Sequence, residues 1–295
     1  AADGAEADNI AIGYAALGNL DHDSASKNIA IGSYAGDGMG AFANAMNIFI
    51  GHDAGGGTWD TARSQYNIGI GAYALDGAMD DANSNIAIGV EALSGIIHGD
   101  NNIGIGRDAG NDITDGHSNT LIAPYTGDAI TTGIANTFIG YASGGTTTAT
   151  NYCVALGYEA MNASNVEAGA NHTIAIGTNS LNALTSGARN IGLGYQSLVA
   201  LTQGDDNIAI GYDALGGLST TDGSDKNIAI GSYAMNGVSS LAATENIFIG
   251  YNSGGGGWTG TLSQKNVAVG NSTMVGALND ADENTAVGYA ALNAL

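Results

Sequence analysis

The sequence predicts an all-β fold, a parallel β-solenoid of about sixteen short coils. Three observations predict it. A motif of the form Asn-Ile-Ala-Ile-Gly-x-x-Ala-Leu recurs along the whole chain, and successive copies stand 17 to 20 residues apart. Within each copy, β-branched residues alternate with small ones over a stretch too short for a helix. A period of this size fits one solenoid turn, whereas helical repeats run to about 33 residues or more.

The first motif position is Asn in fourteen of sixteen units: Asn9, Asn28, Asn47, Asn67, Asn85, Asn102, Asn119, Asn136, Asn190, Asn207, Asn227, Asn246, Asn266 and Asn284. Cys153 and Thr173 hold the place in the other two. A column of carboxamides suits a hydrogen-bonded ladder along the stacking axis. It suits a turn equally well, because Asn tolerates the left-handed conformation.

The second position is always Ile, Val or Thr, and the fourth is Ile, Leu or Val. Residues two apart in a strand share a face, and β-branched side chains favour a packed, pleated surface. These two columns are therefore expected to form the core. The third position should point the other way. It is held by Ala11, Ala30, Phe49, Gly69, Ala87, Gly104, Leu121, Phe138, Ala155, Ala175, Gly192, Ala209, Ala229, Phe248, Ala268 and Ala286, with no polar residue among them. A solvent-facing column alternates to polar, so this second face is expected to be covered by neighbouring chains and is read as a self-association face. The three Phe units carry glycine pairs four residues after their motif glycine (Gly55-Gly56, Gly144-Gly145, Gly254-Gly255), so a large ring meets a missing side chain.

The fifth position is Gly in all units but one, where Ala123 stands. Two variable positions follow, and eleven of the thirteen tyrosines lie there. A second short strand is expected at this point, completing a narrow two-sheet coil. The rest of each unit is rich in Asp, Asn, Ser, Thr and Gly, as a connecting loop should be. A single coil buries too little to offset its own ordering entropy, so the coils must stack.

The chain is expected to form one continuous solenoid over 1–295. A longer period lies above the first: the nine residues from Lys27 to Ala35 recur unchanged from Lys226 to Ala234, and Trp59 and Gln65 map to Trp258 and Gln264 at the same offset of 199. Coils 1–5 (about 9–98) thus duplicate coils 12–16 (about 207–295). Joining Leu295 to a following Ala1 would set Gly288 and Gly13 20 residues apart, within the observed spacing. The expectation is either a window from a longer tandem array or a subunit stacking head to tail.

Asn284-Thr285-Ala286-Val287-Gly288-Tyr289-Ala290-Ala291-Leu292 and its fifteen relatives resemble the head repeats of YadA-like trimeric autotransporter adhesins. They are similar also to the Asn-Thr-Ala-Ile-Gly-Tyr-x-Ala-Leu repeats of phage tail fibres and other large bacterial surface proteins. The resemblance implies a left-handed parallel β-roll, often trimeric, serving in attachment or as a fibre shaft.

A net charge of −22 with six scattered basic residues argues against a nucleic-acid partner, which calls for clustered Lys and Arg. No apolar run reaches transmembrane length. The one cysteine, Cys153, cannot form an internal disulfide and reads as a small buried residue. The five His (His22, His52, His98, His117, His172) have no metal-ligand spacing, and no catalytic constellation or cofactor motif is present. Asp21-His22-Asp23, Asp205-Asp206 and Asp280-Ala281-Asp282-Glu283 offer oxygen ligands for Ca²⁺, with solvated acidic loops as the simpler reading. The expected function is non-enzymatic: a structural subunit or segment of an extracellular or surface fibre that associates with itself. The alternative is an adhesin or tail-fibre receptor-binding shaft whose tyrosines meet a glycan or protein on a host surface. A more distant one is an ice-binding solenoid.

Overall fold

A computed structural model describes residues 8–22, 24–40, 42–59, 62–145, 147–163, 169–218, 223–237, 243–258, 263–276 and 281–293. The described residues contain strands and turns but no helix. The chain divides into two compact units, Ala1–Ala149 and Thr150–Leu295. Each is a parallel β-solenoid.

Unit 1 stacks eight three-residue strands: β1 (Ile10–Ile12), β2 (Ile29–Ile31), β3 (Ile48–Ile50), β4 (Ile68–Ile70), β5 (Ile86–Ile88), β6 (Ile103–Ile105), β7 (Thr120–Ile122) and β8 (Thr137–Ile139). Each pairs in parallel with the next, like over like, as in Ile29 on Ile48 and Ala30 on Phe49. Unit 2 stacks β9 (Val154–Leu156), β10 (Ile174–Ile176), β11 (Ile191–Leu193), β12 (Ile208–Ile210), β13 (Ile228–Ile230), β15 (Ile247–Ile249), β17 (Val267–Val269) and β18 (Thr285–Val287) in the same way. A separate two-stranded ladder joins β14 (Ala243–Thr244) to β16 (Ser263–Gln264).

The strands are short because both ends are locked in conformations that strands cannot continue. The residue before each motif Asn position is left-handed, with φ between 56° and 64° from Asp8 to Glu283. The left-handed residue is thus the one preceding the Asn, and the Asn itself is free to face inward. At the other end the motif glycine turns the chain with φ between 124° and 143°, a region open essentially to Gly alone. Ala123 adopts the same corner at φ 130°. Stacking adds a second constraint, since a Cβ on Gly157 would lie 2.7 Å from the carbonyl oxygen of Gly177 in the next coil.

The assignment of inside and outside is the reverse of the sequence expectation. The third-position column points into the coil: Ala30, Phe49, Ala87, Leu121, Phe138, Ala155, Ala175, Ala209, Ala229, Phe248 and Ala268 are all 0% exposed, and Ala286 is buried too. Gly69, Gly104 and Gly192 are buried in the same column, and only Ala11, in the outermost strand of unit 1, is exposed. These residues are covered by their own chain and cannot be its self-association face. The flanking Ile columns point outward and are partly exposed along both units. The physical reason is the width of the coil. A Cβ on Gly104 would lie 2.7 Å from Leu93 Cγ and 2.9 Å from the Ala109 carbonyl, so the interior has no room for facing rows of Ile.

The Phe–Gly compensation therefore operates inside one coil. A Cβ on Gly55 would lie 2.6 Å from the Phe49 ring, and Gly144 and Gly254 stand likewise against Phe138 and Phe248. In five other coils that corner is filled by Leu75, Leu93, Leu181, Leu198 or Leu215, all fully buried. The expected second strand is also replaced. After the motif glycine the chain makes turns in which the second residue is left-handed, as at Tyr34, Tyr73 and Glu91. Coil-to-coil bonds persist there, for example Tyr34 N–H to the Tyr14 carbonyl at 2.8 Å, so the turns stack in register without being strands.

Candidate functional site

Two features stand out on this scaffold: a buried carboxamide ladder that fixes register, and an outward apolar face whose side chains are partly exposed among the described residues. The ladder is built from the Asn column. Asn47 donates from its backbone N–H (3.0 Å) and from Nδ2 (3.2 Å) to Asn28 Oδ1, and its second Nδ2 hydrogen reaches the Ser64 carbonyl at 3.1 Å. Its own Oδ1 receives both donors of Asn67. The pattern runs through Asn9, Asn28, Asn47, Asn67, Asn85, Asn102, Asn119 and Asn136 in unit 1. In unit 2 it runs through Asn190, Asn207, Asn227, Asn246, Asn266 and Asn284. From Asn28 to Asn136 and from Asn190 to Asn266 these side chains are fully buried and bonded along the axis, so they serve architecture.

A second, outer ladder runs with opposite polarity. Asp100 Oδ1 accepts from the Asn83 N–H of the preceding coil (2.6 Å), and Asp205 and Asp225 accept in the same way from Ala188 (2.8 Å) and Asp205 (2.8 Å). The sequence signal was an Asp or Asn two residues before the motif Asn.

The outward face comes directly from the strands. In unit 1 its two columns are Ile10, Ile29, Ile48, Ile68, Ile86, Ile103, Thr120 and Thr137, and Ile12, Ile31, Ile50, Ile70, Ile88, Ile105, Ile122 and Ile139. In unit 2 they are Val154, Ile174, Ile191, Ile208, Ile228, Ile247, Val267 and Thr285, and Leu156, Ile176, Leu193, Ile210, Ile230, Ile249, Val269 and Val287. No charged residue interrupts either. Eight strands at ~4.8 Å spacing and about 10 Å in length give roughly 350 Å² per unit. Contiguous apolar surface of this size is comparable to the largest patch on a typical monomer, which is often functional.

Exposed aromatic rows run beside it. Tyr14, Tyr34, His52 and Tyr73 follow one another with ring centroids 5.3, 6.2 and 5.4 Å apart. Tyr195, Tyr212, Tyr233 and Tyr251 do so at 5.3, 5.1 and 6.1 Å.

The remaining sequence candidates do not converge. His98 pairs with Asp115 (2.8 Å), holding that carboxyl below its usual range, and His172 stacks on Tyr152. Asp205 and Asp206 grip Arg189 from the adjacent coil at 3.2 and 2.6 Å, which occupies the oxygen atoms considered for Ca²⁺. Asp23 and Asp280 lie outside the described residues. Among the described residues no group of three or more His, Cys, Asp or Glu is placed to hold a metal ion, and no helix is long and apolar enough to cross a membrane. Cys153 is buried, donates to the Ala170 carbonyl at 3.1 Å, and has its thiol pushed up to about 11 by burial. Comparison with known protein families, curated protein sequences and solved structures finds no match to this chain.

Proposed function

We propose that the chain is a structural subunit or segment of an extracellular or surface fibre, associating laterally with copies of itself through the outward Ile face. The single observation that carries this reading is that face in each unit: sixteen positions of Ile, Val, Leu and Thr without one charge, in a chain of net charge −22. A second copy is the occupant that fits it. Identical rungs at identical spacing make the face complementary to itself, and a partner copy covers it without bringing charge against it. The acidic remainder keeps such an assembly soluble.

The test is sedimentation of the full chain beside a variant carrying Ile88→Lys and Ile208→Lys. The expected result is an oligomer or filament for the parent chain and a folded monomer for the variant. A monodisperse parent monomer at high concentration would overturn the proposal. The exposed Tyr rows favour a second reading, an adhesin or receptor-binding shaft. Electron microscopy separates the two: long uniform rods support the fibre, and discrete knobbed oligomers support the adhesin.

A further inference from the structure

One corner of the first five coils holds carboxyl groups that, among the described residues, no Lys or Arg pairs with. Asp37 and Asp76 are each the fifth residue after a motif glycine, Gly32 and Gly71. The coil between them has Gly56 at that place, and a side chain there would collide with Asp53 Oδ1. The Asp53 carboxyl thus fills the position from three residues away. Backbone bonds from Gly36 N–H to the Ala54 carbonyl (2.8 Å) and from Gly55 N–H to the Ala74 carbonyl (2.9 Å) hold the three coils in register. Three acids are therefore stacked on successive rungs, ~4.8 Å apart.

The surroundings do not neutralise them. Asp76 is faced by Asp53, Asp37, Glu91 and His52, and shares a recess of about 290 Å³ with Tyr73, Glu91 and Ser94. His52 approaches Asp53 only to 3.9 Å. Among the described residues no Lys or Arg forms an ion pair with any of the acids. Asp37 Oδ1 is buried with no hydrogen-bond partner.

The duplicated coils supply an internal control. At the offset of 199, Asp37, Asp53, Asp76 and Glu91 become Asn236, Asn252, Val275 and Ala290. Asn252 folds over Gly255 as Asp53 does over Gly56. Asn236 Nδ2 donates to Asp213 Oδ2 at 2.8 Å. Two of the equivalent positions there thus carry carboxamides, one of them paired with the Asp213 carboxylate.

We propose that Asp37, Asp53 and Asp76 form a proton-operated clasp, in which protonation of Asp76 and Asp37 on mild acidification replaces their repulsion from Asp53 by carboxyl hydrogen bonding and tightens coils 2 to 4. Burial, then repulsion from Asp53, Asp37 and Glu91, raises Asp76 to about 6. Burial and Asp53 raise Asp37 as well. An acid whose folded value lies above its unfolded one stabilises the fold in its protonated form, and that contribution is lost as pH rises through about 6.

The experiment compares thermal unfolding of the full chain at pH 8 and pH 5 with that of a triple variant bearing the second copy's residues, Asp37→Asn, Asp53→Asn and Asp76→Val. The melting temperature of the parent should rise on acidification by about 2–4 °C more than that of the variant. Equal rises, or a parent weakened at pH 5, would overturn the proposal. Carboxyl ¹³C NMR of the parent gives a readout that needs no variant. A midpoint for Asp76 near 6 supports the clasp, and titration in the ordinary carboxylate range sinks it.

Discussion

Unit 1 and unit 2 each keep one axial column whole and break the other. Unit 1 runs its carboxamide ladder unbroken from Asn9 to Asn136 but loses the corner glycine at Ala123. Unit 2 keeps its glycine at every corner from Gly157 to Gly288 but opens its ladder column with Cys153 and Thr173. Neither defect disturbs the backbone stack. Ala123 N–H still reaches the Ile105 carbonyl at 2.8 Å, and Ile174 N–H still reaches the Asn190 carbonyl at 2.8 Å. The parallel backbone pairing is thus the primary bond between coils. The side-chain columns select register and add stability locally, so a defect costs about what its own rung supplies.

That comparison can be broken or sharpened by substitution. The largest loss is expected from Gly71→Ala in unit 1 or Gly211→Ala in unit 2, where the added methyl meets the backbone of the next coil and the φ is 135° or 136°. Each should cost about 3 kcal/mol or more, seen as a lower urea midpoint. A cost below about 1 kcal/mol at either would show that the corner yields. Next is Asn102→Ala, which strands the Asn119 donors and the Gly116 carbonyl and should cost about 2–3 kcal/mol. The reciprocal repairs should gain. Ala123→Gly relieves a residue at φ 130° and should add about 1 kcal/mol. Thr173→Asn gives Asn190 a carboxamide to donate to, and should add about 0.5–1 kcal/mol. If neither repair raises the denaturation midpoint, the columns are passengers of the backbone stack.

The duplicated coils teach a related lesson. Phe49, Gly55 and Trp59 reappear as Phe248, Gly254 and Trp258, with the Phe and Trp ring centroids 5.6 Å apart in both copies. The corner outside them has changed from acids to amides and Val275. Interior volume is tied to its partners within the coil, whereas an exterior rung answers mainly to the rungs above and below it.

Much of the fold was legible in the residues. The spacing of the motif located all sixteen three-residue strands, and the alternation separated their two faces. What it could not decide was which face lies inside, because both are apolar. The preference of Ile for packed surfaces pointed the wrong way here, since a coil this narrow admits Ala, Gly, or a Phe or Leu that stands against glycine. The pairing of Phe49 with Gly55 in one unit carried the answer. A ring and a gap six residues apart can complement each other only if both face the interior of the same coil. The acidic corner was less legible. Asp37 and Asp76 share a position, but Asp53 joins them from another column by folding over Gly56, and only the stacking of the coils brings the three together.

The opposed polarity of the two ladders gives the stack a direction. Inner carboxamide oxygens receive donors from the following coil, and outer Asp or Asn oxygens receive them from the preceding one. A coil inserted upside down would therefore set donor against donor at the inner column and leave the outer acceptors facing oxygen. Such an array is vectorial, like a stack of one-way connectors, and every layer within it must read the axis in the same sense.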